Sequence, residues 1–154
     1  MKLLPKTFRN VKGFTLIELL VVIGILAILL SIVLIAINPA RQFGQANDTR
    51  RRSDITAILN AIGAYSADNK GVLPAAIPVT TPEDISDTGA NICADLVPDY
   101  ISALPQDPQT GNGTSITDCT AAYDTGYTVV KDANNRVTVA APDAEITTPI
   151  SITR

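Results

Sequence analysis

The sequence predicts an α+β chain in which a long N-terminal hydrophobic helix, transmembrane and then amphipathic, packs on a small antiparallel β-sheet head. Three observations carry that expectation. Residues 14–37 form an almost unbroken apolar run, the thirty or so residues after it have helix-forming composition with an apolar stripe, and from Val72 onward the texture is that of loops and strands.

Phe14 to Ile37 reads FTLIELLVVIGILAILLSIVLIAI, 24 residues interrupted only by Thr15, Glu18 and Ser31. A helix rises about 1.5 Å per residue, so this run reaches roughly 36 Å and can cross a hydrocarbon core of about 30 Å. It is too long for a cleaved secretory signal, whose apolar region is about 7–15 residues. The residues before it hold Lys2, Lys6, Arg9 and Lys12 and no acid. Positive flanks stay cytoplasmic, which directs everything C-terminal to the helix out of the cytosol.

The order Lys12-Gly13-Phe14-Thr15-Leu16-Ile17-Glu18 resembles the type III signal of type IV prepilins and of the related type II secretion pseudopilins. That resemblance implies a prepilin peptidase/methylase that cuts between Gly13 and Phe14 on the cytoplasmic face and methylates the new N-terminus at Phe14. Gly13, with no side chain, lets the backbone enter a peptidase site that excludes bulk; alone it would equally suit a flexible joint. Glu18 becomes the fifth residue of the processed chain and is the sole ionisable group in the apolar run. One account places it at headgroup level, where a negative charge complements the N-terminal end of the helix dipole. The other pairs it with the free amine of Phe14, on its own chain or on a neighbouring subunit. A buried unpaired charge costs several kcal/mol, much of which such a pair recovers. The resemblance assigns Glu18 this second role, in filament assembly.

After the apolar run, Asn38-Pro39 disfavours regular helix geometry and removes one backbone hydrogen bond, so a kink or melted turn is expected. The helix then resumes, because Ala40 to Asn69 contains no proline. Ile55, Ile58, Leu59, Ile62 and Tyr65 recur at amphipathic spacing, and Gly71 stands where a C-terminal cap belongs. From Phe14 to about Asn69 this makes a long rod, as in type IV pilins. Arg50-Arg51-Arg52 invites a nucleic-acid reading. Asp48 lies three and four residues before Arg51 and Arg52, and Asp54 four after Arg50, so a solvated face of intrahelical pairs is the favoured account.

Eight of the ten prolines fall after Val72. Val72 to Pro108 reads as an irregular connection in which Ile92 to Tyr100 forms a short helix. Tyr127–Lys131, the turn Asp132-Ala133-Asn134-Asn135 and Arg136–Ala140 make an antiparallel hairpin. Ile146 to Ile152 adds an edge strand interrupted by Pro149. A sheet of two to four strands against the helix stripe is the expected core. Cys93 and Cys119, the only cysteines, fall on the oxidising side, where a disulfide between them would stabilise by roughly 3–4 kcal/mol. Two free buried thiols are the alternative.

The organisation expected is a basic leader (1–13), a transmembrane and assembly half-helix (14–37), an amphipathic half-helix (38–70) and an extracytoplasmic head (71–154). After removal of the leader the chain holds eight basic and fifteen acidic residues, a formal charge of −7, which argues against nucleic-acid binding by the bulk surface. The chain has no histidine, no nucleophile elbow and no phosphate-cradling loop, so no enzyme, catalytic residue, cofactor or metal is expected. Asp107-Pro108-Gln109-Thr110-Gly111-Asn112 faintly resembles the calcium loop of major pseudopilins, and a polar turn is the favoured account. Asn47-Asp48-Thr49 and Asn112-Gly113-Thr114 fit the N-glycosylation pattern, which is common by chance. The resemblance implies a prepilin that sits in the cytoplasmic membrane among lipid, then passes through a pilus assembly platform into an extracellular filament of copies of itself. Adhesion, motility, DNA uptake or secretion would follow from that filament. A pseudopilin and a non-polymerising membrane-anchored binding protein are the rival expectations.

Overall fold

The computed structural model describes residues 13–110 and 113–154. The basic leader before Gly13, the Gly111-Asn112 end of the polar turn and the Asn112 sequon lie outside the described residues. The chain divides into two compact units, Met1–Pro39 and Ala40–Arg154.

The first unit is helix α1, Leu16–Ile37, in which no side chain is buried. Its 22 residues span roughly 33 Å at about 1.5 Å per residue, which is the length a bilayer crossing needs. Leu, Ile, Val and Ala on all sides leave it no polar face to turn towards water. Asn38 closes it in the left-handed conformation at φ 47°, which Asn tolerates better than β-branched residues do. Pro39 then opens helix α2, Pro39–Asp68. The expected interruption is thus confined to Asn38, because a proline in the first turn sacrifices an N–H that would have no intrahelical partner.

In the second unit, α2 is followed by strand β1 (Glu83–Ser86), the single turn α3 (Cys93–Leu96), and strands β2 (Asp124–Lys131), β3 (Val137–Ala141) and β4 (Ile150–Thr153). Among the described residues these strands form one antiparallel sheet in the order β1-β2-β3-β4. Val129 faces Val139, which faces Ile152, so the alternate residues Tyr127, Val129, Val137, Val139 and Ala141 point to one buried face. That face and the stripe Ile55, Ile58, Leu59 and Ile62 of α2 belong to one apolar core. Fully burying a side chain of this size contributes about 1.5–3 kcal/mol, which makes the stripe the main reason the sheet and α2 stay together.

Three expectations are corrected. The connection after Val72 is not wholly irregular: Glu83–Ser86 pairs with β2 as an edge strand. The short helix covers only Cys93–Leu96, because Val97 precedes Pro98 and is held extended at φ −100°, ψ 132°. The last strand begins at Ile150, just after Pro149, since proline has no N–H to give a ladder.

The hairpin turn is closed by backbone bonds from Asp132 N–H to the Arg136 carbonyl and from Asn135 N–H to the Asp132 carbonyl, and one side chain reinforces it. Asp132 Oδ1 accepts from the backbone N–H of Asn134 and of Arg136, and Asp132 Oδ2 accepts from Arg136 Nε at 2.7 Å. At the other end of β2 the pairing slips: Asp84 faces Thr128, whereas Ser86 faces Asp124. The extra residues form a bulge around Gly126, at φ +73°. A Cβ there would come within 2.9 Å of Asp107 Cβ and of Thr110 Oγ1. Glycine is required at this point, and the bulge admits the turn that carries Asp107.

Candidate functional site

Two places hold the residues singled out by sequence. At the head of α1, Gly13, Phe14 and Glu18 are exposed. Thr15 is the N-cap, and its Oγ1 accepts the Glu18 N–H at 3.2 Å. Glu18 Oε2 in turn accepts the Thr15 N–H at 2.9 Å and the Thr15 hydroxyl at 2.8 Å. This reciprocal capping box satisfies two backbone donors that helix geometry leaves without partners. The carboxylate is therefore oriented towards the residue next to Phe14. Thr15 was not among the sequence-predicted site residues, although Thr-x-x-Glu ahead of an apolar run is the signature that would have found it.

The second place lies on α2, in the Ala40–Arg154 unit. Arg51 is wholly buried, so the expected solvated face does not hold for it. Its Nε donates to Asp107 Oδ2 at 2.6 Å and its Nη2 to Asp107 Oδ1 at 3.1 Å. Further bonds run from Nη2 to Gln109 Oε1 at 3.2 Å and from Nη1 to Asp48 Oδ1 and Glu145 Oε1 at 3.0 and 3.3 Å. A planar guanidinium with five donors suits this many acceptors where a lysine would not. The acceptors raise the Arg51 pKa further above its ordinary value, against the pull of burial.

Asp48 closes the cluster on the other side. It accepts the backbone N–H groups of Glu145, Ile146 and Thr147 at 2.9, 2.9 and 3.2 Å. Burial works to raise its pKa, and these three donors with Arg51 overcome it, holding the carboxyl at about 2. Asp107 is likewise held below its ordinary value despite its burial, chiefly by Arg51. The arrangement fastens three stretches of chain that are distant in sequence: α2, the turn at Asp107–Gln109, and the strap Glu145–Thr147.

Arg50 behaves as expected in part, pairing with Asp54 at 3.8 Å, and it also donates to the Gly113 carbonyl at 2.8 Å. Arg52 is exposed. Asp54 accepts the Tyr127 hydroxyl at 2.8 Å, and burial raises both their pKa values. Asn47 spends its side-chain amide on Glu145 Oε1 at 2.7 Å. Asp107, the first acid of the polar turn, is committed to Arg51, and among the described residues no group of His, Cys, Asp or Glu is arranged to hold a metal ion.

Cys93 and Cys119 form a disulfide, with Cα atoms 5.4 Å apart and a sequence separation of 26. Cys93 sits in the core. The bond and the Arg51 cluster therefore secure the same stretch of chain, since Asp107 and Gln109 lie between the two cysteines.

No curated protein and no solved structure matches the chain. Residues 8–34 match the family model of the prokaryotic N-terminal methylation motif. That motif takes in Gly13, Phe14 and Glu18 and most of α1. Residues 8–34 thus carry a prokaryotic N-terminal methylation motif, the type IV prepilin-like signal.

Proposed function

We propose that this protein is the structural subunit of a type IV pilus-like filament. It enters the cytoplasmic membrane through α1 with its C-terminal unit outside the cytosol. A prepilin peptidase cuts it between Gly13 and Phe14 and methylates Phe14, and the processed chain leaves the membrane for a filament built on its α1 helices. The observation that supports this reading is the methylation motif running into a helix with no buried side chain. Such a surface is stable only in lipid or against other apolar helices, and a filament core exchanges one for the other.

Glu18 is the assembly residue in this reading. Its carboxylate, already oriented by Thr15, is placed to meet the amine that cleavage creates at Phe14 on its own or an adjoining subunit. Where water is scarce the pair satisfies two charges that would each be costly alone, so it selects one axial register between subunits. The test is Glu18→Ala in the native host. Membrane insertion should persist while filaments vanish or fall at least tenfold in number. Filaments of normal abundance in that variant would defeat the proposal.

A further inference from the structure

We propose that the buried Arg51–Asp107 pair docks the Cys93–Cys119 segment onto α2 before the cysteines are joined, so that the clamp guides disulfide formation. This goes beyond the filament reading and does not depend on it. The segment between the cysteines is held at many points that owe nothing to the sulfur bond. Leu104 and Ile116 exchange two backbone hydrogen bonds at 2.9 and 2.8 Å. Gln106 donates to the Asp124 carbonyl at 2.7 Å and accepts from Thr114 N–H at 3.1 Å. The Asp107 N–H reaches the Thr125 carbonyl at 2.8 Å. Arg50 and Arg51, neighbours on α2, hold Gly113 and Asp107 respectively.

The clamp also has a one-sided energetic logic. Arg51 has no exposed surface, and neither has Asp107. With the segment undocked, the Arg51 guanidinium keeps Asp48 and Glu145 but lacks the two hydrogen bonds to Asp107. Docking supplies those two bonds whatever the state of the cysteines. In the folded chain, with the bond formed, the Cα atoms of Cys93 and Cys119 lie 5.4 Å apart, within the range a disulfide needs. The chemistry then requires only a disulfide-bearing oxidant. One cysteine thiolate attacks it and releases one thiol, the second displaces the mixed disulfide and releases the other, and two electrons pass to the oxidant.

The experiment uses the full chain in detergent micelles, reduced with a phosphine, with amide exchange and then oxidation by glutathione disulfide as readouts. Reduced wild-type protein should keep the Leu104, Asp107 and Ile116 amides protected within about tenfold of the oxidised protein. Asp107→Asn and Arg51→Lys should oxidise at least tenfold more slowly than wild type under native conditions, and at the same rate in urea, where no clamp exists. Loss of protection at those three amides on reduction, with β2 and β3 still protected, would overturn the proposal. So would native oxidation of both variants at the wild-type rate. Should a variant lose its sheet, the reduced wild type alone decides: retained protection supports the clamp and lost protection refutes it.

Discussion

Arg51 and Asp107 meet side-on through two hydrogen bonds, Nε to Oδ2 at 2.6 Å and Nη2 to Oδ1 at 3.1 Å, with both side chains fully buried. Removing one member leaves a charge without its partner in a dry site. Arg51→Met is therefore expected to cost about 3–5 kcal/mol, and Asp107→Leu a similar amount. Replacing both together should cost less than the sum, because neither member of the pair is then left as an orphan charge, although Asp48 still loses Arg51. Urea unfolding of the full chain in detergent, followed by tyrosine fluorescence, measures all three. Near-additive losses would contradict the pairing.

The same cluster sets a pH dependence. Asp48 is held at about 2 and Asp107 below its ordinary value. An acid whose folded pKa is depressed contributes stability above its unfolded pKa of about 3.9, and the contribution disappears as pH falls through the folded value. Asp54 is shifted the other way by burial, so it costs stability at neutral pH and the cost is relieved as acid titrates it. Melting temperature should accordingly hold or rise slightly from pH 7 to about pH 5 and then drop from about pH 4 towards pH 2. Asp48→Asn should flatten the acid limb. A melting temperature independent of pH between 2 and 5 would contradict this account.

How much of this was legible beforehand depended on how local each feature is. The stripe Ile55, Ile58, Leu59, Ile62 announced the buried face of α2 through its period alone. Continued backwards, the same period lands on Arg51, Asp48 and Gly44, all of them buried. Three consecutive arginines with acids at helical spacing nonetheless read as a solvated surface, because the partners that bury Arg51 lie 56 and 94 residues away. Strand β1 is not legible in the sequence for a related reason: Glu83-Asp84-Ile85-Ser86 holds one strong strand former, and its edge position leaves two acids outside. The hairpin was visible because its alternation and its Asp132–Asn135 turn are contiguous.

The Gly126 bulge carries a prediction of its own. Alanine there would have to hold φ near +73° and place its methyl 2.9 Å from Asp107 Cβ. Gly126→Ala should destabilise the second unit by roughly 1–3 kcal/mol. Differential scanning calorimetry reads the loss, and an unchanged transition would show that the turn bearing Asp107 does not need this close approach.

The Thr15 cap makes a smaller and more local claim. Thr15→Val removes the hydroxyl that accepts from Glu18 N–H and donates to its carboxylate, which should cost the first turn of α1 about 1 kcal/mol, whereas Thr15→Ser should restore it. Amide exchange at Glu18 and Leu19 in micelles should quicken several-fold in the valine variant alone. Equal exchange in all three proteins would mean that the box contributes nothing to the helix start.

In the proposed assembly the filament begins with one cut. Intact mass and N-terminal sequencing of the protein taken from native membranes and from sheared surface material test it directly. The expected species lacks residues 1–13, begins at Phe14 and carries one added methyl group. A chain that retains Met1 through Gly13 and stays dispersed in the membrane would contradict the account.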